Sequence, residues 1–583
     1  MKFLLAGVTA LALVLSAQPA QARKKQPEQA LPPAVGTLID NVLGETPDGK
    51  GGIERFSALL IGDDGKILEV YHQGDPLPER VAYRLDGKGR IMVPGMIDAH
   101  AHLIDTGLAR MTLDLTAAKS LDEALSRIAA WAAAHPDAPW VLGGGWNEAD
   151  WSLGRMPTAA ELDAVTGGKP TWLTRADMHA GWANSAAMAA AGVSGATPDP
   201  AGGRIERLPG SKQPAGIFVD EAKQLIVAKV PQPRPEDLDT ALGKAQIVFL
   251  QNGVTAVADM ATTIEYWQTY RRAADLGHLR IRIVSYARGI DNMVLIGGPG
   301  PSPWLYDDHL KMNGVKLYVD GALGSRGAWL KAPYTDAPGT SGLSRLSGTQ
   351  LGNLMSRAAL DNFQVAVHAI GDKANATVLD TIDELAQTYK GDRRWRIEHV
   401  QVVDPADIPR FGQHGIVASM QPQLETSDRT MAEARLGPAR LAGAYAWKSI
   451  AATGAVLAFG SDTPVEPPEP FRGMAVAISR QGADGQPWGG WQPQEIVTRE
   501  TAFEGYTTGA AYAMFAEDRL GRLAKGYRAD FLFVDRDPML APPEQLRQTQ
   551  VLETWIGGKL AWSASRDAAP SAPPSQPAAS AGR

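Results

Sequence analysis

The sequence predicts an α/β protein: a (β/α)8 TIM-like barrel, a small β-sandwich domain built from both chain ends, and a subdomain inserted after the first strand. Three observations predict it. Short apolar runs that turn polar at their carboxyl ends recur eight times, with helix-periodic segments between most of them. Strand-like, turn-rich segments flank the series on both sides. One connection, residues 104–250, is far longer than a βα loop needs.

The runs are MVPGMIDAHAHL (92–103), VTAVADM (254–260), IRIVSYAR (281–288), GVKLYVDG (314–321), FQVAVHAIGD (363–372), WRIEHVQ (395–401), GIVASMQP (415–422) and AVLAFGSDTP (455–464). LGNLMSRAALDN before the fifth run and ANATVLDTIDELAQTYK after it carry helical spacing. Buried strands alternating with helices read as a parallel sheet covered on both faces. Eight of them suggest closure into a barrel over 93–520, whose active site lies at the carboxyl ends of the strands. An open doubly wound sheet is the alternative. Segments 33–92, with an Asp-Gly turn in SALLIGDDGKILEVY, and 521–562 are each too small to bury a core, so they are paired into one sandwich. The insertion carries WVLGGGWNEADW (140–151) and WLTRADMHAGWANSAAM (172–188) and is placed over the barrel mouth.

Composition narrows the chemistry. The 583 residues are 44% apolar and 21% charged, with a net charge of −7, values of a soluble globular protein and not of a dedicated nucleic-acid binder. The absence of cysteine excludes disulfide scaffolds, thiolate metal sites and cysteine nucleophiles. Residues 1–22 read as a secretory signal: Lys2, an apolar run to Leu15, and a small-x-small cleavage site ending at Ala22. That run is too short for a comfortable membrane span, so export to the bacterial periplasm is expected, without stable membrane insertion. Residues 563–583, dominated by Ala, Pro and Ser, read as a disordered tail.

With ten histidines in the chain, their placement is informative. His100 and His102 stand two apart on the first strand and share a face. His368 ends the fifth strand, His399 the sixth and Asp462 the eighth, so all five converge on one mouth, where a metal would satisfy them together. Lys316 on the fourth strand points the same way; taken alone it reads as a salt bridge to Asp320 or Glu398. Glu398, next to His399, faces the other side of its strand as supporting structure. No phosphate-binding glycine loop, G-x-S-x-G or H-E-x-x-H occurs.

The order of HxH, strand Lys, two single His and strand-end Asp resembles the amidohydrolase superfamily of metal-dependent hydrolases, and within it the branch that includes N-substituted formamide deformylase. PGMIDAHAHL (94–103), GGGWNEADW (143–151), RADMHAGWANS (175–185), VKLYVDGALGSR (315–326), AVHAIGDKA (366–374), RIEHVQ (396–401), AFGSDTPVE (458–466) and ADFLFVDRDP (529–538) carry the resemblance over about residues 35–562. It implies that His100, His102, His368, His399 and Asp462 are metal ligands and that Lys316, carboxylated, bridges a binuclear centre. The expected cofactor is a divalent metal, Zn2+ first, one or two per chain. The implied reaction is hydrolysis of a non-peptide C–N bond by a metal-activated hydroxide, with Asp462 as general base and acid. The expected substrate is a linear N-substituted amide, a formamide or an N-acyl compound. A carbamate, ester or lactone hydrolase, a ring deaminase and a non-catalytic binder stay open as alternatives.

Substrate contacts are expected from the insertion and the loop after the fourth strand: His179, Asp177, Trp182, Trp146 and Arg326. His179 is the strongest of these by the resemblance, each Trp is as well explained as subdomain core, and Arg326 suits either a substrate carboxylate or a structural ion pair. The partner is a small-molecule substrate, and oligomeric state is open between monomer and homodimer.

Overall fold

A computed structural model describes residues 36–567. The signal expected at 1–22 lies outside the described residues, as does most of the tail: Ser563 still ends a strand, and Ala564–Asp567 add one helical turn.

Eight parallel strands form the barrel in chain order: Met96–Ala101, Val254–Thr262, Arg282–Arg288, Leu310–Tyr318, Gln364–Ala369, Arg396–His399, Val417–Met420 and Val456–Phe459. All eight expected runs are among them. The ladder runs from first to eighth, and the seam between those two is held differently. Asp462 N donates to His100 O at 2.7 Å. Ser461 donates to both Asp98 oxygens, from N at 3.0 Å and from Oγ at 2.5 Å. Gly460 permits this approach, since a Cβ there would lie 2.5 Å from His100 N. The barrel is therefore nearly closed.

Outer faces of the strands pack on helices whose sequences set their limits. Helix Gly348–Leu360 buries Leu351, Met355, Ala358 and Ala359, a single stripe at helical spacing. Ser347 caps it: its side chain accepts from Gln350 N, and Gln350 Oε1 accepts from Ser347 N at 3.0 Å.

The chain's two flanks pair into one mixed eight-stranded sheet. Strand Phe531–Val534 lies antiparallel to Tyr83–Pro94, which runs parallel to Thr37–Pro47. The expected Asp-Gly turn joins Ala58–Ile61 to Ile67–Tyr71, with Gly65 at φ 74°. The insertion forms a separate six-stranded sheet from Leu113–Asp114 to Pro214–Asp220. Helix Pro235–Gln251, inside the span assigned to the insertion, packs instead on the barrel helix Leu103–Ala109. Gly107 meets it so closely that a Cβ would lie 1.9 Å from Ala241 O.

The flanking sheet is tied to the barrel by a buried ion pair. Arg282, on the third barrel strand, gives Nε to Asp530 Oδ2 at 2.6 Å and Nη2 to Asp530 Oδ1 at 2.9 Å. The same guanidinium reaches the carbonyls of Asp307 and Asp308. Removing one partner leaves the other charged and buried. Asp530→Ala is expected to destabilise the fold by about 3–5 kcal/mol in equilibrium unfolding, whereas Lys525→Ala, which breaks an exposed pair with Glu69, is expected to leave stability nearly unchanged.

Candidate metal centre

The carboxyl ends of the barrel strands bring His100, His102, Lys316, His368, His399 and Asp462 to one end of the barrel. Ligating atoms of His100, His102 and Asp462 all lie within 4.8 Å of one another. Asp462 Oδ1 is 3.1 Å from His102 Nε2 and 3.4 Å from His100 Nε2. The other imidazoles continue the row: ring centroids are 4.7 Å apart for His100 and His399, 4.5 Å for His399 and His368, and 4.9 Å for His368 and His179.

Supporting side chains set the orientation of these rings. His100 Nδ1 lies 2.7 Å from Glu398 Oε2, which leaves Nε2 as the lone-pair nitrogen facing the centre. Glu398 is itself gripped by Arg396 through two hydrogen bonds of 2.7 and 3.1 Å. His399 Nδ1 is 2.9 Å from Gln421 Oε1. His179 Nδ1 is 2.7 Å from Asp220 Oδ1. Arg396, Gln421 and Asp220 were not singled out in the sequence.

Glu398 does support the site, but it does not face away from it. Strand alternation alone would send Glu398 and His399 to opposite faces. His399 and Val400 instead adopt φ of 77° and 50°, so the strand ends in left-handed backbone and both side chains turn inward. Asp462 is placed in the same way, at φ 59°.

Lys316 contacts neither Asp320 nor Glu398; its Nζ lies 3.1 Å from His100 Nε2. Burial lowers its amine to about 8, against the pull of Glu398 and Asp462. Burial and the Lys316 charge bring His100 down to about 4, against Asp462 and Glu398, so its imidazole is neutral. Burial also holds His368 and His399 well below the ordinary histidine value, with neighbouring positive charges adding to it. For Asp462, burial works upward but is outweighed by His100, His102 and His399, which keep the carboxylate ionised below the usual range. His102 goes the other way: burial works downward but is outweighed by Asp462, which holds it above the ordinary histidine value. A neutral His100, an ionised Asp462 and a His102 whose proton a cation would replace fit a divalent ion. The chain thus holds a candidate metal site made of two histidines and one aspartate.

The expected substrate contacts divide. His179, with 15% of its side chain exposed, stands at the mouth beside His368. Asp177 takes Arg175 Nη1 at 2.7 Å and His179 N at 2.9 Å, so it shapes the turn that carries His179. Trp146 and Trp182 do not line the mouth. Both are fully buried in the insertion's core with Trp151, at ring separations of 6.0–6.5 Å, and their indole N–H groups donate to Leu173 O and Thr158 O, each at 2.8 Å. Arg326 makes the structural ion pair: Nη2 is 2.9 Å from Asp336 Oδ2, and Asp336 also binds Arg435.

A profile of the Amidohydrolase family matches residues 85–561. Protein LONG AFTER FAR-RED 3 of Arabidopsis thaliana is 35% identical over 491 residues, covering 81% of this chain and 82% of its own. N-substituted formamide deformylase of Arthrobacter pascens is 29% identical over 497 residues, covering 82% of this chain and 89% of its own. Among solved structures, an uncharacterized metal-dependent hydrolase from Pyrococcus horikoshii OT3 superposes with a TM-score of 0.69 at 26% identity, over 87% of this chain and 99% of that one.

Because Glu398 orients His100, Glu398→Gln is expected to weaken metal binding about 10–100-fold, measured by chelator competition. An unchanged affinity would show that the Nδ1 contact does not orient the ligand.

Proposed function

The chain belongs to the amidohydrolase family, and on that premise we propose that it hydrolyses the C–N bond of a linear N-substituted amide, a formamide or N-acyl amine being the simplest form. It is a metal-dependent hydrolase acting on carbon–nitrogen bonds other than peptide bonds. The observation that carries the reading is the triangle of His100, His102 and Asp462 with Lys316 pressed against it.

His100, His102 and Asp462 would hold a divalent ion, Zn2+ first, and His368 and His399 would extend the ligand set. Such an ion polarises a carbonyl and lowers the pKa of water towards about 7. Asp462, ionised, accepts a proton from the attacking water. As the C–O bond forms and the C–N bond breaks, it returns that proton to the departing nitrogen. His179, its ring fixed by Asp220, orients the substrate from the insertion's side. A buried lysine whose amine is brought down to about 8 has an appreciable neutral fraction. That amine adds to carbon dioxide, an N–C bond forms and one proton leaves, giving an anionic carbamate able to bridge two cations. The similarity to the formamide deformylase makes formamides the first compounds to screen.

Residues 1–22 belong to the same reading as a cleaved export signal, tested by sequencing the amino terminus of the mature protein. Among the described residues no helix is long and apolar enough to cross a membrane.

Elemental analysis of the purified protein tests the centre. Two ions per chain support the binuclear site with carboxylated Lys316. One ion favours a mononuclear centre and moves the search to ring deamination or to carbamate, ester and lactone substrates. None, even after reconstitution, overturns the assignment. Asp462→Asn is expected to abolish turnover, a loss of at least ~100-fold for an acid–base residue, while much of the metal stays bound. Lys316→Ala is expected to lower metal stoichiometry, with partial recovery by short carboxylic acids; full stoichiometry in that variant would remove the bridging role.

A further inference from the structure

The fourth barrel strand, LKMNGVKLY, carries two lysines. Lys316 stands at the metal end. Lys311, near the strand's start, stands at the opposite end, about 16 Å away at roughly 3.3 Å per residue. Leu310 and Met312 on either side of it join the main apolar core, so Lys311 and Asn313 face the other way.

There a cleft of about 860 Å3 opens, lined by Trp304, Lys311, Asn313, Gln364 and Phe515 among others, a volume that suits a small organic ligand. Its floor is a satisfied polar layer. Asn313 Nδ2 donates to Gln364 Oε1 at 2.7 Å and to Tyr286 Oη at 3.1 Å, while Gln364 Nε2 donates to Arg394 O and Ala513 O.

Acidic and basic side chains line the cleft in equal number, but they are not paired evenly. Each lining carboxylate is held by an arginine: Asp308 by Arg519 and Arg528, Asp518 by Arg519, and Asp392 and Glu517 by Arg394. Lys311 has no such partner among the described residues. Its Nζ makes one long contact, 3.5 Å to Phe515 O, and lies 5.7 and 5.9 Å from the ring centres of Trp304 and Phe515. Burial, with Arg519 nearby, lowers its amine to about 8. An ammonium with spare donors between two aromatic rings calls for an anion carried on a flat apolar body.

We propose that this cleft is a second binding site, for a small aromatic carboxylate, with Lys311 taking the carboxylate and Trp304 and Phe515 taking the ring. An amine of the same shape would bring like charge against Lys311. The carboxylate gives Lys311 an ion pair of the kind the lining carboxylates already have. The site is independent of the metal centre, from which the Asn313–Gln364–Tyr286 layer separates it.

Calorimetric titration of benzoate into the metal-loaded full-length protein tests this, with benzylamine as the charge control. The expected result is saturable benzoate binding that Lys311→Met weakens about 10–100-fold, the range for losing a charge-assisted hydrogen bond, and that Lys311→Arg retains. Asp462→Asn should leave it unchanged, and benzylamine should not bind. The proposal falls if benzoate fails to bind the wild-type protein. It also falls if Lys311→Met, folded with an unaltered melting temperature, binds benzoate as well as wild type, which would place the ligand at the metal centre.

Discussion

The structure depends on one buried chain of charge, Arg396–Glu398–His100, that runs across the inside of the barrel. Placing a guanidinium and a carboxylate out of water is unfavourable unless every donor and lone pair is matched. Here they are matched from several strands at once. Arg396 gives two hydrogen bonds to Glu398, one to Ala99 O at 2.6 Å, one to Ser419 Oγ at 3.1 Å and one to Tyr286 Oη at 3.1 Å. Its guanidinium also stacks 4.8 Å over the Tyr286 ring. Strands one, three, six and seven are thereby held in one register. Oε2 of the same carboxylate, already bound by Arg396, also meets His100, so the ligand's orientation follows from the packing of the barrel interior.

Left-handed backbone occurs in several parts of the chain, and one group of such residues lies where that interior meets the mouth. His399, Val400, Asp462, Met178 and Asp220 all have φ between 50° and 77°, a region that costs non-glycine residues of order 1–3 kcal/mol each. The surroundings hold three of them in place. Asp462 is pinned by its N–H on His100 O, His399 by Gln421, and Asp220 by His179. These turns break strand alternation just past the ladder, which lets consecutive residues such as Glu398 and His399 serve the same site from one short strand. A rigid sheet gives the ring positions, and strained ends aim the last side chain.

Much of this was legible in the sequence because the signals are local. Eight apolar runs with polar ends declare parallel strands, and the HxH spacing declares a shared face, so the barrel, the paired flanks and the His100–His102–Asp462 triangle could all be placed. What was not legible depends on contacts distant in sequence or on dihedral exceptions. Nothing in GIFVDEAK marks Asp220 as the partner of a histidine 41 residues earlier. Nor does RIEH show that Glu398 shares the face of His399. Trp146 and Trp182 misled because aromatic residues near a polar motif look alike whether they line a mouth or fill a core; their indole N–H groups, tied to backbone carbonyls inside the insertion, decide for the core.

The two lysines of the fourth strand show how a single irregularity divides the barrel's labour. Residues five apart on a regular strand point to opposite faces. In the ladder with the third strand, Ser285 pairs with Met312 but Tyr286 pairs with Gly314, so Asn313 is an extra residue on the fourth strand. Beyond it the alternation is shifted by one: Val315 and Leu317 join the outer core with Leu310 and Met312, and Lys316 faces inward as Lys311 does. Gly314 fits the irregularity because a Cβ there would lie 2.3 Å from Gln364 O and 2.8 Å from the Tyr286 ring. The bulge also presents Asn313 to Gln364 and Tyr286, and Tyr286 in turn accepts from Arg396. One inserted residue therefore supplies the polar floor between the two ends, keeps the cleft-facing lysine apart from the one at the candidate metal site, and joins the floor to the buried charge that orients His100.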